Sequence, residues 1–94
     1  MSLRMASFAT RLSAVPLKPG VYIHRDSVGK VLYVGKSSAL KNRLRSYFGA
    51  TKRLNAKTTE LVNRIHDFEY IVTDSEQEAL LLENSLIKKH RPKY

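Results

Sequence analysis

Residues 20–35 read Gly20-Val21-Tyr22-Ile23-His24-Arg25-Asp26-Ser27-Val28-Gly29-Lys30-Val31-Leu32-Tyr33-Val34-Gly35, and the way their side chains sort decides the fold. Two β-rich runs, Val21–Arg25 and Val31–Gly35, flank the turn-forming stretch Asp26-Ser27-Val28-Gly29, which is the pattern of a hairpin. With a loop over 26–29, Arg25 faces Lys30, Ile23 pairs with Leu32 and Tyr22 pairs with Tyr33. Val21, Ile23, Leu32 and Val34 then share an apolar face, and Tyr22, His24, Val31 and Tyr33 share the other. A slip of one residue would carry Tyr33 into the core and Leu32 out of it. The two tyrosines are therefore expected as cross-strand neighbours, about 5 Å apart at Cβ. Such a pair either strengthens a sheet, as tyrosines do well, or brings two hydroxyls to one site. Gly35 closes the second strand and leaves room for a close backbone approach.

Working outward, residues 6–14 read as a short helix closed by Pro16 and the Pro19-Gly20 turn. Ala39 to Phe48 is a helix with Leu40, Leu44, Tyr47 and Phe48 on one side, stopped by Gly49. A basic loop runs to about Asn55, and a second helix carries Leu61, Val62 and Ile65 as its apolar set. Phe68 to Thr73 reads as a third strand. Ser75-Glu76-Gln77-Glu78 is a capping box that opens the last helix, which runs to about Lys89 before Arg91-Pro92. One α+β domain is expected, without repeats or linkers.

Ninety-four residues suit a single domain with a thin core. No apolar run reaches the ~18 residues of a membrane span, and Arg4 and Arg11 break up any secretory signal. The absence of cysteine excludes disulfides and thiolate chemistry and makes an intracellular location the expectation. The net charge of +9 is unevenly placed. Residues 1–57 hold twelve Lys/Arg against one acid, Asp26, whereas residues 58–94 hold five Lys/Arg against seven acids. Lys36, Lys41, Arg43, Arg45, Lys52, Arg53 and Lys57 follow one another with no acid between them. Such a stripe attracts a phosphate backbone by counterion release. Lys41, Arg45, Lys52, Arg53 and Lys57 are the expected DNA contacts, the plainer alternative being a solvated face. Gly35-Lys36-Ser37 is not the end of a P-loop, because position 30 is lysine and Gly29 is one residue out of place.

A lone acid, Glu83, projects among Ala79, Leu80, Leu86 and Ile87 on the last helix. A carboxylate buried there must be ion-paired, for example with Arg43, protonated, or bound to a metal. Arg43 and Tyr47 lie one turn apart on the inner margin of their helix, with Lys41 and Arg45 pointing outward. Arg43 suits a phosphate contact, and Tyr47 either core packing or the site. His24 either touches substrate or decorates its strand.

Gly20-Val21-Tyr22 and Tyr33-Val34-Gly35, with the segment Lys41 to Phe48 and the helix Glu78 to Lys88 running on to Arg91-Pro92-Lys93-Tyr94, resemble a GIY-YIG nuclease domain. The resemblance covers about residues 12–94 and is closest to the UvrC branch, the incision subunit of bacterial nucleotide excision repair. It implies a small three-stranded antiparallel sheet flanked by helices and a single divalent ion, Mg²⁺ or Mn²⁺. By the same resemblance Tyr33 is the general base with Lys36 beside it. Arg43 clamps the phosphate, Tyr22 and Tyr47 hold water or substrate, and Glu83 binds the metal. It further implies that 1–94 is the N-terminal domain of a longer bacterial cytoplasmic, nucleoid-associated protein. That protein would cut damaged double-stranded DNA on the 3′ side of a lesion after recruitment by UvrB, through regions outside this chain. In this family an asparagine commonly follows the last tyrosine, here Tyr94. Two alternatives are a stand-alone nuclease of the same fold outside excision repair and a non-catalytic basic nucleic-acid-binding module. The second explains the charge but not the acid on an apolar helix face.

Overall fold

The computed structural model describes residues 10–48 and 56–94. It contains β1 (Gly20–Arg25), β2 (Val31–Ser37), α1 (Leu40–Phe48), α2 (Ala56–Arg64), β3 (Asp67–Val72) and α3 (Glu76–His90). Residues 10–14 are also helical. The rest of the helix expected over 6–14, the stop at Gly49 and the loop to Asn55 lie outside the described residues. The strands make one antiparallel sheet in the order β2-β1-β3, the α+β arrangement expected.

β1 is the middle strand and is covered on both faces. Ala79, Leu82 and Leu86 of α3 pack on Val21, Ile23, Val31 and Val34. On the opposite face Tyr22 packs with Val15, Leu40, Leu44 and Phe68. Leu40 and Leu44, one turn apart, drive α1 onto the sheet, and both are fully buried. Arg11 ties the helical stretch 10–14 to β3 through the Asp67 carboxylate and the Phe68 carbonyl. Its guanidinium also lies 4.6 Å from the centre of the Phe68 ring.

The turn is the expected one, but the register is not. Asp26 Oδ1 accepts from the Val28 and Lys30 amides at 3.0 and 2.9 Å, and Gly29 takes the positive φ of 85° that closes the turn. Arg25 pairs with Val31, and beyond that point His24 pairs with Tyr33, Ile23 with Val34 and Tyr22 with Gly35. Leu32 is the extra residue of a bulge facing the His24–Arg25 step. Past the bulge the strands stand two residues from the expected pairing. Two is even, so the tyrosines keep their face and Val21, Ile23 and Val34 keep theirs. Only the residues at the bulge exchange sides: Val31 joins the α3 face and Leu32 packs with Leu61 and Ile65 of the α2 segment.

At the start of α3, the N-cap Ser75 accepts the Glu78 amide at 3.1 Å while Glu78 accepts the Asp74 amide at 3.1 Å. The helix ends with Arg91 in the left-handed region at φ 46°, its amide bonded to the Ile87 carbonyl at 2.8 Å. The Tyr94 amide then donates to the Leu32 carbonyl at 3.0 Å, fastening the segment after α3 to the edge strand β2.

Candidate active site

Strand alternation sends Tyr22, His24 and Tyr33 to the face covered by α1, and α1 contributes Tyr47 from its last turn. Tyr22 is buried, with its ring over Gly35, its cross-strand partner. A Cβ on Gly35 would overlap the Tyr22 hydroxyl and approach Tyr33 Cε2 to 2.9 Å. The close approach at this glycine is thus made by a phenol rather than by backbone, and β2 continues past it to Ser37. Tyr22 and Tyr33 are diagonal rather than directly opposite, with ring centres 6.0 Å apart.

The Tyr22 and Tyr47 hydroxyls share a hydrogen bond of 2.9 Å. Burial pushes the Tyr22 phenol far above its ordinary range, and its bond to Tyr47 adds to this. Burial also raises Tyr47, and a hydrogen-bond interaction with Tyr33 contributes in the same direction, while the Tyr22 bond acts against it. Both phenols are therefore held protonated at neutral pH. Tyr33, on the edge strand, is only half-buried, and it lines a cleft of about 220 Å³ together with Tyr47, Lys57, Thr58, Leu61 and Tyr94. Of the three clustered tyrosines, Tyr22 is sealed while Tyr33 and Tyr47 face the cleft.

His24 is fully buried in this cluster. Its ring lies 4.7 Å from Tyr47 edge-on and 5.7 Å from Phe48 edge-on, and 6.5 Å from Tyr33 in a stacked arrangement. Neither ring nitrogen has a hydrogen-bond partner among the described residues. Burial pulls its pKa down to about 4, so the imidazole is neutral. Full burial fits the reading in which His24 belongs to its strand rather than touching substrate, as a wall of the aromatic cluster.

Arg43 is exposed on α1, one turn from Tyr47. Its charge favours the ionised forms of Tyr22 and Tyr47, opposing the effect of burial. Arg45 and Lys57 are exposed as expected, whereas Lys41 is half-buried rather than fully outward. Lys52 and Arg53 lie outside the described residues.

Lys36 and Glu83 are carried on the α3 side of the sheet. Lys36 pairs with Val21 and so falls on the α3 side of the sheet, exposed at the end of β2. Glu83 is on α3, which packs against that same side. The seam of α3 is Ala79, Leu82 and Leu86, while Leu80 and Ile87 remain 43% and 39% exposed. Glu83 therefore borders the packed seam instead of interrupting it, and it is half-buried rather than sealed. No ion pair with Arg43 forms, and among the described residues Glu83 has no salt-bridge partner. A partly exposed, unpaired carboxylate fits a hard divalent cation, and one carboxylate suits Mg²⁺, which keeps most of its water ligands. No group of three or more His, Cys, Asp or Glu side chains forms a metal cage among the described residues.

Thr58, Leu61 and Tyr94 complete the cleft without any chemical signature in the sequence. Only the aromatic ring of Tyr94, whose amide is bonded to the Leu32 carbonyl, stands out.

The sequence matches the family model described as a UvrC-like GIY-YIG domain over residues 18–94. The UvrABC system protein C of Clostridium novyi is 52% identical over 90 residues, 96% of this chain and 14% of that protein. That of Desulfitobacterium hafniense is 58% identical over 84 residues, 89% of this chain and 14% of its own length. This chain thus spans about 14% of the length of these relatives. The crystal structure of the GIY-YIG N-terminal endonuclease domain of UvrC from Thermotoga maritima, bound to its catalytic magnesium, superposes with a TM-score of 0.80 at 37% identity. The match covers 100% of this chain and 98% of that one. The pairing of two glycine–tyrosine strands, the α1 tyrosine and a carboxylate-bearing last helix therefore has a family to which it belongs: this chain is a member of the UvrC-like GIY-YIG domains.

Proposed function

We propose that this chain is a divalent-metal-dependent DNA endonuclease domain that hydrolyses a phosphodiester. One observation supports this above the others: Tyr22 is sealed and holds Tyr47 through a 2.9 Å bond, while Tyr33 and Tyr47 both face the cleft. A phenol at its ordinary pKa of about 10 is a poor base at neutral pH. The Tyr33 phenolate takes a proton from water, whose oxygen bonds to phosphorus in line as the bond to the 3′ oxygen breaks. Arg43 binds the nonbridging oxygens, where charge builds up. Lys36, exposed at the end of β2 on the same side of the sheet as Glu83, would add positive charge there. Glu83 would hold Mg²⁺ or Mn²⁺, which supplies charge neutralisation to the phosphate and its leaving oxygen.

In the whole protein this activity corresponds to the 3′ incision of bacterial nucleotide excision repair. UvrB would be the recruiting partner, through segments outside this chain, and the setting the bacterial cytoplasm at the nucleoid. Residues 1–94 form one domain at the N-terminal end of that protein. No described helix is long and apolar enough to cross a membrane. The deciding experiment incubates the chain with flapped and nicked duplexes in Mg²⁺, Mn²⁺ or EDTA. Metal-dependent cutting supports the reading. Binding without cutting in either metal would favour the non-catalytic basic module.

A further inference from the structure

We propose that the cleft between β2 and α2 receives one unpaired nucleobase of the DNA, next to the phosphate that is cut. The proposal rests on the endonuclease reading and deepens it. Tyr33, Tyr47 and Tyr94 present aromatic surface to the cleft, Leu61 gives it an apolar floor, and Lys57 and Thr58 supply polar atoms on α2. At about 220 Å³ it lies below the roughly 300 Å³ at which pockets for drug-sized ligands begin, so it suits one planar ring system and not a base pair. Tyrosines beside a lysine are the parts of a site that stacks a base without reading its sequence.

The cleft is built rather than incidental. Tyr47 is anchored by its 2.9 Å bond to Tyr22. Tyr94 is held at both ends, its amide on the Leu32 carbonyl at 3.0 Å and its hydroxyl on Glu60. Rings fixed in this way lose little freedom when a base enters. Lys57 is exposed, so its ammonium can meet a backbone phosphate while the base points inward. Tyr33 belongs to the cleft and to the proposed chemistry alike, which places the guest base within one nucleotide of the cut. A duplex must unpair that base to fill the cleft, and this favours bubbled or damaged DNA over intact duplex.

The test uses the 94-residue chain in EDTA, so that no cutting occurs. Its probes are a fully paired duplex and the same duplex with one unpaired 2-aminopurine. The expected result is about tenfold tighter binding of the second, with quenched 2-aminopurine fluorescence. Tyr94→Ala should lose the preference and the quenching, and Tyr94→Phe should keep both. Thr58→Leu, which narrows the cleft and keeps the Tyr94 side chain, should also lose them while still binding paired DNA. Equal affinity for the two probes, or quenching that survives both Tyr94→Ala and Thr58→Leu, overturns the proposal. Cutting in Mg²⁺ is scored separately: base preference without cutting would sink the endonuclease reading and leave the cleft intact.

Discussion

Tyr22 fills the space that a side chain on Gly35 would need, and from there its hydroxyl reaches Tyr47 across the sheet–helix boundary. The two name motifs of the family are in this sense one piece of packing. The glycine of one strand exists for the tyrosine of the other.

Gly35→Ala should therefore act on the site as well as on stability. The added methyl has no room unless the buried Tyr22 ring moves. Overpacking of this kind costs about 1–3 kcal/mol, and the Tyr22–Tyr47 bond should break. Denaturant unfolding should show the loss, and the cutting rate should fall at least about tenfold. A variant with unchanged stability and activity would mean that the ring sits elsewhere.

Tyr33→Phe removes one hydroxyl from the phenol proposed as base. We expect the cutting rate to drop by about 10²–10⁴, with DNA affinity nearly unchanged. Tyr22→Phe should cost less, because it removes a positioning bond and not a proton acceptor. Single-turnover cutting of a flapped duplex separates the two, and full activity in Tyr33→Phe would remove that residue as the base.

Glu83→Gln should abolish metal-dependent cutting while leaving the fold intact, since the side chain is half-exposed and has no salt bridge to lose among the described residues. Binding of Mn²⁺, followed by its paramagnetic effect on water relaxation, should weaken in parallel. Undiminished cutting would refute the metal assignment.

His24 makes stability depend on acidity. Its folded pKa of about 4 lies below the unfolded value of 6.5, so the unfolded chain takes up a proton first as the pH falls. The corresponding stability is fully present above about pH 6.5 and drains away between there and pH 4. The shift corresponds to roughly 3 kcal/mol. His24→Phe should flatten this acid limb. It should also be neutral or stabilising at pH 7.5, because two buried nitrogens without partners disappear. Urea titrations at pH 7.5 and pH 4.5 read both effects.

Parity was the legible part of the fold. Alternation along Val21–Arg25 and Val31–Gly35 correctly puts Tyr22 and Tyr33 on the face opposite Val21, Ile23 and Val34, and the Ser75–Glu78 box places the start of α3. The pairing itself was not legible, because a bulge at Leu32 leaves no mark in a run of β-formers. On α3, four leucines and an isoleucine outnumber the positions the sheet can cover. Sequence periodicity alone therefore could not choose between a seam through Leu82 and one through Leu80 and Ile87. That choice moved Glu83 from the interior to the margin. Tyr22 and Tyr33 share a face as alternation implied and Tyr47 joins them from α1, whereas the walls of the cleft come from α2 and Tyr94, which meet only through tertiary packing.

The extra residue at Leu32 also separates two parts of the hairpin that would otherwise be geared together. Lengthening or shortening the loop around Asp26–Gly29 displaces the bulge before it disturbs the phenols. Deleting Leu32 itself should straighten the ladder without turning Tyr33 over, because Arg25–Val31 and His24–Tyr33 are already paired on either side of it, and the loss is confined to its packing on Leu61 and Ile65.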